Sequence, residues 1–375
     1  MFALLIALFL SILTGWLLSF GETGLFLAKD VLFPAGIFYL ALLVFLAVPL
    51  QCMAFVLRGE QLIREWRRCA ISSRLYVFWC TALLGAAVAG TYCGAFMAFA
   101  EPVFPTDFWY LEEVTALRKF LPALAVLSVL AGSALSSMKE EAATVSHGTT
   151  SLFRLLEQTG QLLVTFMPAG VFLLLAPWFA FTGYGVLLLA LKLCLAMLVC
   201  CAAYAFAFYG LSLRRCGKNC PGHFWSFFKQ VVFLGMAGKS LANCTNSALS
   251  NLQRMGIETQ KKPGLFTSGL SWGAAGTALY CSLALTVALQ YGGMTLSMEQ
   301  MILTAFFSLL LAVFSVEFSN GGLYRLLFLF LLLDVPIAGL FSILATERFL
   351  DGVRTGVNLM SSGTGIYLAD KLRWR

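Results

Sequence analysis

Long apolar runs recur along this chain, and they leave it few ways to fold. The first is "MFALLIALFLSILTGWLLSF" at 1–20; others fall near 31–57, 75–100, 120–138, 152–180 and 183–212. A helix of about 20 apolar residues spans the ~30 Å hydrocarbon core of a bilayer. Only 11% of the 375 residues are charged and 60% are hydrophobic, against about 25% charged in soluble domains. A transmembrane barrel reads instead as short alternating segments. The expectation is an all-α integral membrane protein in the cell membrane, crossing it many times, with lipid as a partner. Its 34 Phe suit lipid-facing surfaces. The first run lacks a basic leader and a small-residue cleavage site, so it reads as a transmembrane helix rather than a signal peptide.

The net charge of +7 lies mostly in loops, where it sets orientation and is no nucleic-acid signal. Residues 58–74 hold Arg58, Arg64, Arg67, Arg68 and Arg74, whereas 101–119 hold Glu101, Asp107, Glu112 and Glu113. Arg214, Arg215 and Lys218 follow the sixth run, and Lys371, Arg373 and Arg375 close the chain. Basic loops face the cytoplasm, so both termini and 58–74 are expected inside and 101–119 outside.

After residue 212 the pattern changes. Residues 223–256 turn polar at "GKSLANCTNSALSNLQRMG", and basic residues flank them on both sides, at Arg214–Arg215 and Lys261–Lys262. A segment with both ends on one side is a re-entrant hairpin. The run 264–290 is broken by "WGAAGT", 299–333 is split by "VEFSNGG", and a long segment at 336–369 follows. Interrupted backbone at membrane depth is tolerated where protein or a water-filled cavity covers it. Hairpin, broken helix, hairpin, helix makes two units entering from opposite sides. Such inverted repeats hold transporter substrate sites at their interrupted segments. The reading is therefore eight transmembrane helices plus two re-entrant hairpins. Residues 1–212 form six N-terminal helices and 213–375 form a transport core.

The last segment carries Glu347, Arg348, Asp351 and Arg354 within eight residues. At ~100° per residue, Asp351, Arg354, Thr355, Asn358 and Ser362 share a sector of roughly 100°. Each charge at a helix centre costs about 2.5–3.5 kcal/mol on the insertion scale. A self-neutralising i,i+3 pair would explain the two charges but not the polar stripe that continues from them. A binding face explains both. Arg354 offers a fork of donors for a carboxylate, Asp351 offers acceptors for an ammonium group, and Thr355 and Asn358 add neutral hydrogen bonds. The ligand with those parts is an amino acid with an acidic side chain.

"DGVRTGVNLMSS" at 351–362 resembles the D-x-x-R-T-x-x-N-x-x-G-D pattern of the dicarboxylate/amino acid:cation symporter family, which includes the excitatory amino acid transporters. "QRMGI" at 253–257 and "GTALY" at 276–280 are similar to the end of that family's first hairpin and to its seventh helix after the break. The resemblance implies an elevator-type symporter for acidic amino acids or dicarboxylates, with homotrimers held by the N-terminal helices. It implies that Asp351 receives the substrate amino group, that Arg354 receives the side-chain carboxylate, and that Thr355 and Asn358 are further contacts. Thr277 and Ser240 occupy substrate-side positions in the broken helix and the first hairpin tip. Asn320, Gly321 and Gly322 occupy the second hairpin tip, a gate.

The departures lie at the sodium ligands. The family's N-M-D-G-T is here "GAAGT", so Gly273 and Ala275 replace the Asn and Asp, and Ser362 replaces the last Asp. Sodium, a hard cation, wants oxygen ligands, and Gly and Ala have no side-chain oxygen. Glu317 is an acid at the second hairpin tip, where the family has small residues. A carboxylate buried there without a partner tends to take up a proton, whereas one in external water or paired with Arg325 does not. Glu317 and Ser362 are thus coupling candidates, with a proton expected rather than sodium and no cofactor.

Other classes are weaker. "GLSWG" at 269–273 matches the hydrolase nucleophile elbow, which needs a strand–turn–helix setting, so no enzyme is expected. "CGKNCPGH" offers Cys216, Cys220 and His223, short of the four ligands of a structural zinc site, so no metal is expected. An anion channel or a substrate sensor that no longer transports keeps the same fold.

Overall fold

A computed structural model describes residues 2–68, 72–96, 119–138, 143–183, 185–237, 241–257, 264–291, 294, 296–318, 320–335 and 338–374. The described residues form helices and no strand. The first half comprises α1 (Phe2–Leu18), α2 (Glu22–Leu27), α3 (Phe33–Arg68), α4 (Ser73–Phe96), α5 (Leu121–Ser137), α6 (Ala143–Thr165), α7 (Met167–Thr182) and α8 (Gly185–Tyr204). A π-helical stretch, Ala28–Leu32, joins α2 to α3, and another, Ala205–Gly210, extends α8 toward Arg214. The second half comprises α9 (Cys220–Met236), α10 (Leu241–Arg254), α11 (Gly264–Trp272), α12 (Ala275–Tyr291), α13 (Met298–Phe314), α14 (Gly321–Leu333) and α15 (Ala338–Lys371).

Among the described residues four helices are long and apolar enough to cross a membrane, or five if one bent pair counts as a span. Large side chains such as Phe9, Phe38, Phe45, Val126, Leu188 and Phe206 are exposed on α1, α3, α5, α8 and its extension. In a bilayer such side chains meet acyl chains rather than water, so their exposure has no hydrophobic cost.

Two expectations from the sequence need correction. The run 152–180 is not one helix: α6 and α7 meet at 49°. Pro168 sits in the first turn of α7, where it has no N–H to give the preceding turn and its ring crowds that turn's carbonyl. The interval 58–74 is not a loop from its start, because α3 continues to Arg68. Arg58 is fully buried in that helix. Its Nη1 donates to Glu65 Oε1 at 3.0 Å and its Nε to the Val313 carbonyl at 2.9 Å. Val313 lies in the last turn of α13, where carbonyls lack intrahelical partners. The acidic stretch 101–118 lies outside the described residues.

The core of the second half is α12, with nearly every side chain buried. A helix apolar on all sides belongs inside a bundle. It packs against α4, α13 and α15. The broken run is interrupted at Gly273 and Ala274, between α11 and α12. The restart of α12 leaves free N–H groups, and the Thr277 N–H donates to Asn358 Oδ1 of α15 at 3.1 Å. One side chain of the last helix therefore caps the broken one. Helices α9 and α10 pack against α15, and α13 and α14 pack against α12; the interval between α13 and α14 falls in the polar interruption "VEFSNGG".

Candidate functional site

Two elements converge on the charged face of α15: the start of α12, and residues 315–318 and 320 between α13 and α14. Arg354 and Asn358 of α15 and Thr277 of α12 are buried. Arg354 donates through Nε and Nη2 to Asp351 Oδ1, at 3.0 and 2.8 Å. Its Nη1 donates to Thr277 Oγ1 at 2.8 Å and reaches both oxygens of Glu317, at 3.3 and 3.1 Å. Asn358 Nδ2 donates to Thr277 Oγ1 at 2.9 Å. The polar stripe of α15 thus points inward, onto the break and the turn between α13 and α14.

Glu317 is held from two sides. Arg325, fully buried on α14, donates through Nη1 to Glu317 Oε1 at 2.9 Å, through Nε to Ser315 Oγ at 3.1 Å, and through Nη2 to the Val316 carbonyl at 2.6 Å. The pairing with Arg325 that the sequence allowed is present, and Arg354 adds a second cation. Two arginines and two carboxylates, Glu317 and Asp351, balance one another. Buried charge is tolerated when it is paired and hydrogen-bonded in this way.

The turn itself is shaped for close approach. Asn320 has φ 58°, a left-handed conformation that asparagine tolerates better than most residues. Its Oδ1 accepts from Arg348 Nη1 at 3.2 Å. A Cβ on Gly322 would lie 2.9 Å from Asp351 Oδ1 and 3.0 Å from Arg354 Nε, so hydrogen is the side chain that fits. Gly321 is buried beside it at the start of α14.

Thr355 sits on the same face, its hydroxyl donating to the Asp351 carbonyl at 2.9 Å. Ser362 is buried farther along, its hydroxyl 3.4 Å from the Phe266 carbonyl of α11. The structure therefore brings Asp351, Arg354, Asn358, Thr277, Glu317 and Gly322 together and leaves Ser362 against the other half of the broken helix. Ser240 lies outside the described residues.

The sequence offered Arg325 only as an alternative partner for Glu317, a lone charge in "GGLYRLLFLFLLL"; its full burial makes it part of the cluster, and sequence reasoning gave no role to a further neighbour. Tyr280 of α12 donates its hydroxyl to Glu347 of α15, one turn before Asp351, and both are buried. The hydrolase-like "GLSWG" lies at the end of helix α11, not at a strand-to-helix turn. The Cys220 thiol turns to the Tyr367 hydroxyl, 3.4 Å away.

A profile of the sodium:dicarboxylate symporter family matches residues 111–372. A C4-dicarboxylate transport protein of Anaeromyxobacter sp. (strain K) is 25% identical over 282 residues, 74% of this chain and 61% of its own length. The proton/glutamate-aspartate symporter of Escherichia coli (strain K12) is 25% identical over 268 residues, 68% of this chain and 58% of its own. C4-dicarboxylate transport protein 1 of Pseudomonas aeruginosa PAO1 is 26% identical over 271 residues, covering 71% and 58%. The chain spans about six-tenths of the length of these relatives. The matched region contains every side chain of the cluster.

Proposed function

Because this chain belongs to the sodium:dicarboxylate symporter family, we propose that it is a secondary active symporter that carries an acidic amino acid, such as glutamate or aspartate, across the cell membrane. The observation behind this reading is Arg354, a buried guanidinium at the junction of α15, the α12 start and the second hairpin turn. Carboxylates are the ligands that match its planar fork of donors. Asp351 takes both of its bonds from Arg354 on Oδ1. Oδ2 is thereby left as an acceptor for an ammonium group, with Thr355 and Asn358 alongside.

A C4-dicarboxylate is the second reading, supported by the names of two of the relatives. Arg354 alone serves it, and Asp351 then has no ammonium to meet. Labelled glutamate, aspartate and succinate, offered separately to proteoliposomes, decide between the two. Saturable counterflow supports a carrier. Binding without counterflow supports a sensor, and unsaturable anion flux a channel.

We further propose homotrimers, elevator-type movement of 213–375 against the first six helices, and cytoplasmic termini. The basic end of α3, Arg64 and Arg68, supports the orientation. A cysteine introduced at Gln61 should resist impermeant thiol reagents in sealed cells, and rapid external labelling would reverse the topology.

A further inference from the structure

The guanidinium of Arg354 has little left to offer a ligand. It has five N–H groups. Nε and one hydrogen of Nη2 are spent on Asp351, and the two of Nη1 on Thr277 and Glu317. A carboxylate that grips Arg354 with both oxygens must therefore displace a partner already there. Asp351 sits three residues away on the same helix and holds Arg354 through two hydrogen bonds. Thr277 is fixed at the start of α12, where its backbone is capped by Asn358. Glu317 differs from both. It lies on an extended turn between two helices, with Ser315 at φ −118° and ψ 134°. It also has a second cation, Arg325, on its own helix pair.

We propose that Glu317 is a built-in ligand of Arg354, a tethered carboxylate that fills the anchor when it is empty and that the incoming carboxylate replaces. The exchange leaves no buried charge alone. Before it, Glu317 bridges Arg325 and Arg354; after it, the ligand holds Arg354 and Glu317 keeps Arg325. Arg325 also grips Ser315 Oγ and the Val316 carbonyl, so the turn stays folded while its acid changes partner. The same contact ties this turn to the last helix, since Glu317 is on the turn and Arg354 is on α15. Ligand affinity is then set partly by this internal competitor: a site competent for a fraction f of the time binds with its intrinsic Kd divided by f. The inference rests on Arg354 being the carboxylate anchor.

The test uses the full chain in detergent. Glu317→Gln keeps the shape and removes the charge, and Glu317→Asp keeps the charge and shortens its reach; the latter serves if the former does not fold. Two quantities are read. Hydrogen exchange of backbone amides across 315–322, without ligand, reports how firmly the turn is tied, independently of substrate identity. Calorimetric affinity for glutamate, aspartate and succinate reports the competition. Exchange should rise in Glu317→Gln, and the best ligand should bind about tenfold or more tightly, a gain lost when Arg354→Gln is added. Unchanged exchange in a folded Glu317→Gln, or affinity no tighter than wild type, overturns the built-in ligand while Arg354-dependent binding still supports the anchor. Wild-type affinity in Arg354→Gln alone overturns the anchor and this inference with it.

Discussion

Arg354→Cys removes one guanidinium from a cluster that can survive the loss. Glu317 keeps Arg325 at 2.9 Å, and Asp351 is partly open to solvent, so the fold should hold. Binding should not. Losing a buried partner for a carboxylate typically costs about 2–5 kcal/mol, roughly 30-fold or more in affinity. Calorimetry with glutamate and aspartate checks this; unchanged affinity would remove Arg354 from the site. Gly322→Ala acts on the same spot from the other side. Its Cβ would meet Asp351 Oδ1 at 2.9 Å and Arg354 Nε at 3.0 Å. Overpacking of that kind costs about 1–3 kcal/mol, so melting should fall and ligand affinity weaken. A variant that melts and binds like wild type would show that the turn sits farther from α15 than described. At this scale the stripe of Asp351, Arg354 and Asn358 was legible, because helical periodicity fixes a shared face. For Glu317 the pairing with Arg325, eight residues away, was legible as an alternative, but the second cation, Arg354, thirty-seven residues away, was not. Only the folding of α14 and α15 around one turn brings them together.

At the scale of elements, the interruptions in the second half were the readable part. Breaks at "WGAAGT" and "VEFSNGG" are gaps in apolar runs, and they fall where α11, α12, α13 and α14 end or begin. The bend at Pro168 went unread because the residues on either side are equally apolar, and hydropathy does not register a change of direction. Arg58 went unread for the opposite reason: a charge next to other charges looks like a loop. Its burial joins three elements. Arg58 reaches Val313 of α13 and Glu65 of α3, and Glu65 Oε2 in turn accepts from Trp272 Nε1 of α11 at 3.1 Å. Arg58→Met should leave Glu65 short of its cation and the α13 terminus without its donor. Breaking a buried pair by removing one partner costs about 3–5 kcal/mol. A clear drop in melting temperature in detergent is expected, partly restored when Glu65→Gln is added. If Arg58→Met melts with wild type, the link between α3 and the hairpin is not structural.

For the whole molecule the question is what drives the proposed symport. The family resemblance places sodium-ligating side chains where this chain has Gly273, Ala275 and Ser362. Gly273 and Ala275 supply no side-chain oxygen, and the Ser362 hydroxyl faces the Phe266 carbonyl. Glu317 remains as an acid on a turn that contacts the anchor. The groups bonded to it are Arg325 from α14, Arg354 and Asn358 from α15, and Thr277 from α12; Asp351 and Glu347 of α15 surround the nearby Gly322, and Cys281 of α12 lies within electrostatic reach. Paired with two arginines, Glu317 is not the unpartnered acid expected to take up a proton; we propose that it does so only when a substrate carboxylate replaces it on Arg354 and stands beside it. Acid outside the membrane should then favour loading, and the proton enters with the substrate. Uptake into proteoliposomes should persist in sodium-free buffer and rise as the external pH falls. In Glu317→Gln the neutral side chain mimics the protonated state, so uptake should lose that pH dependence while Arg354-dependent binding persists. Strict dependence on sodium, with no response to an imposed proton gradient, would rule out this coupling and point to cation ligands supplied by the backbone carbonyls around the α11–α12 break.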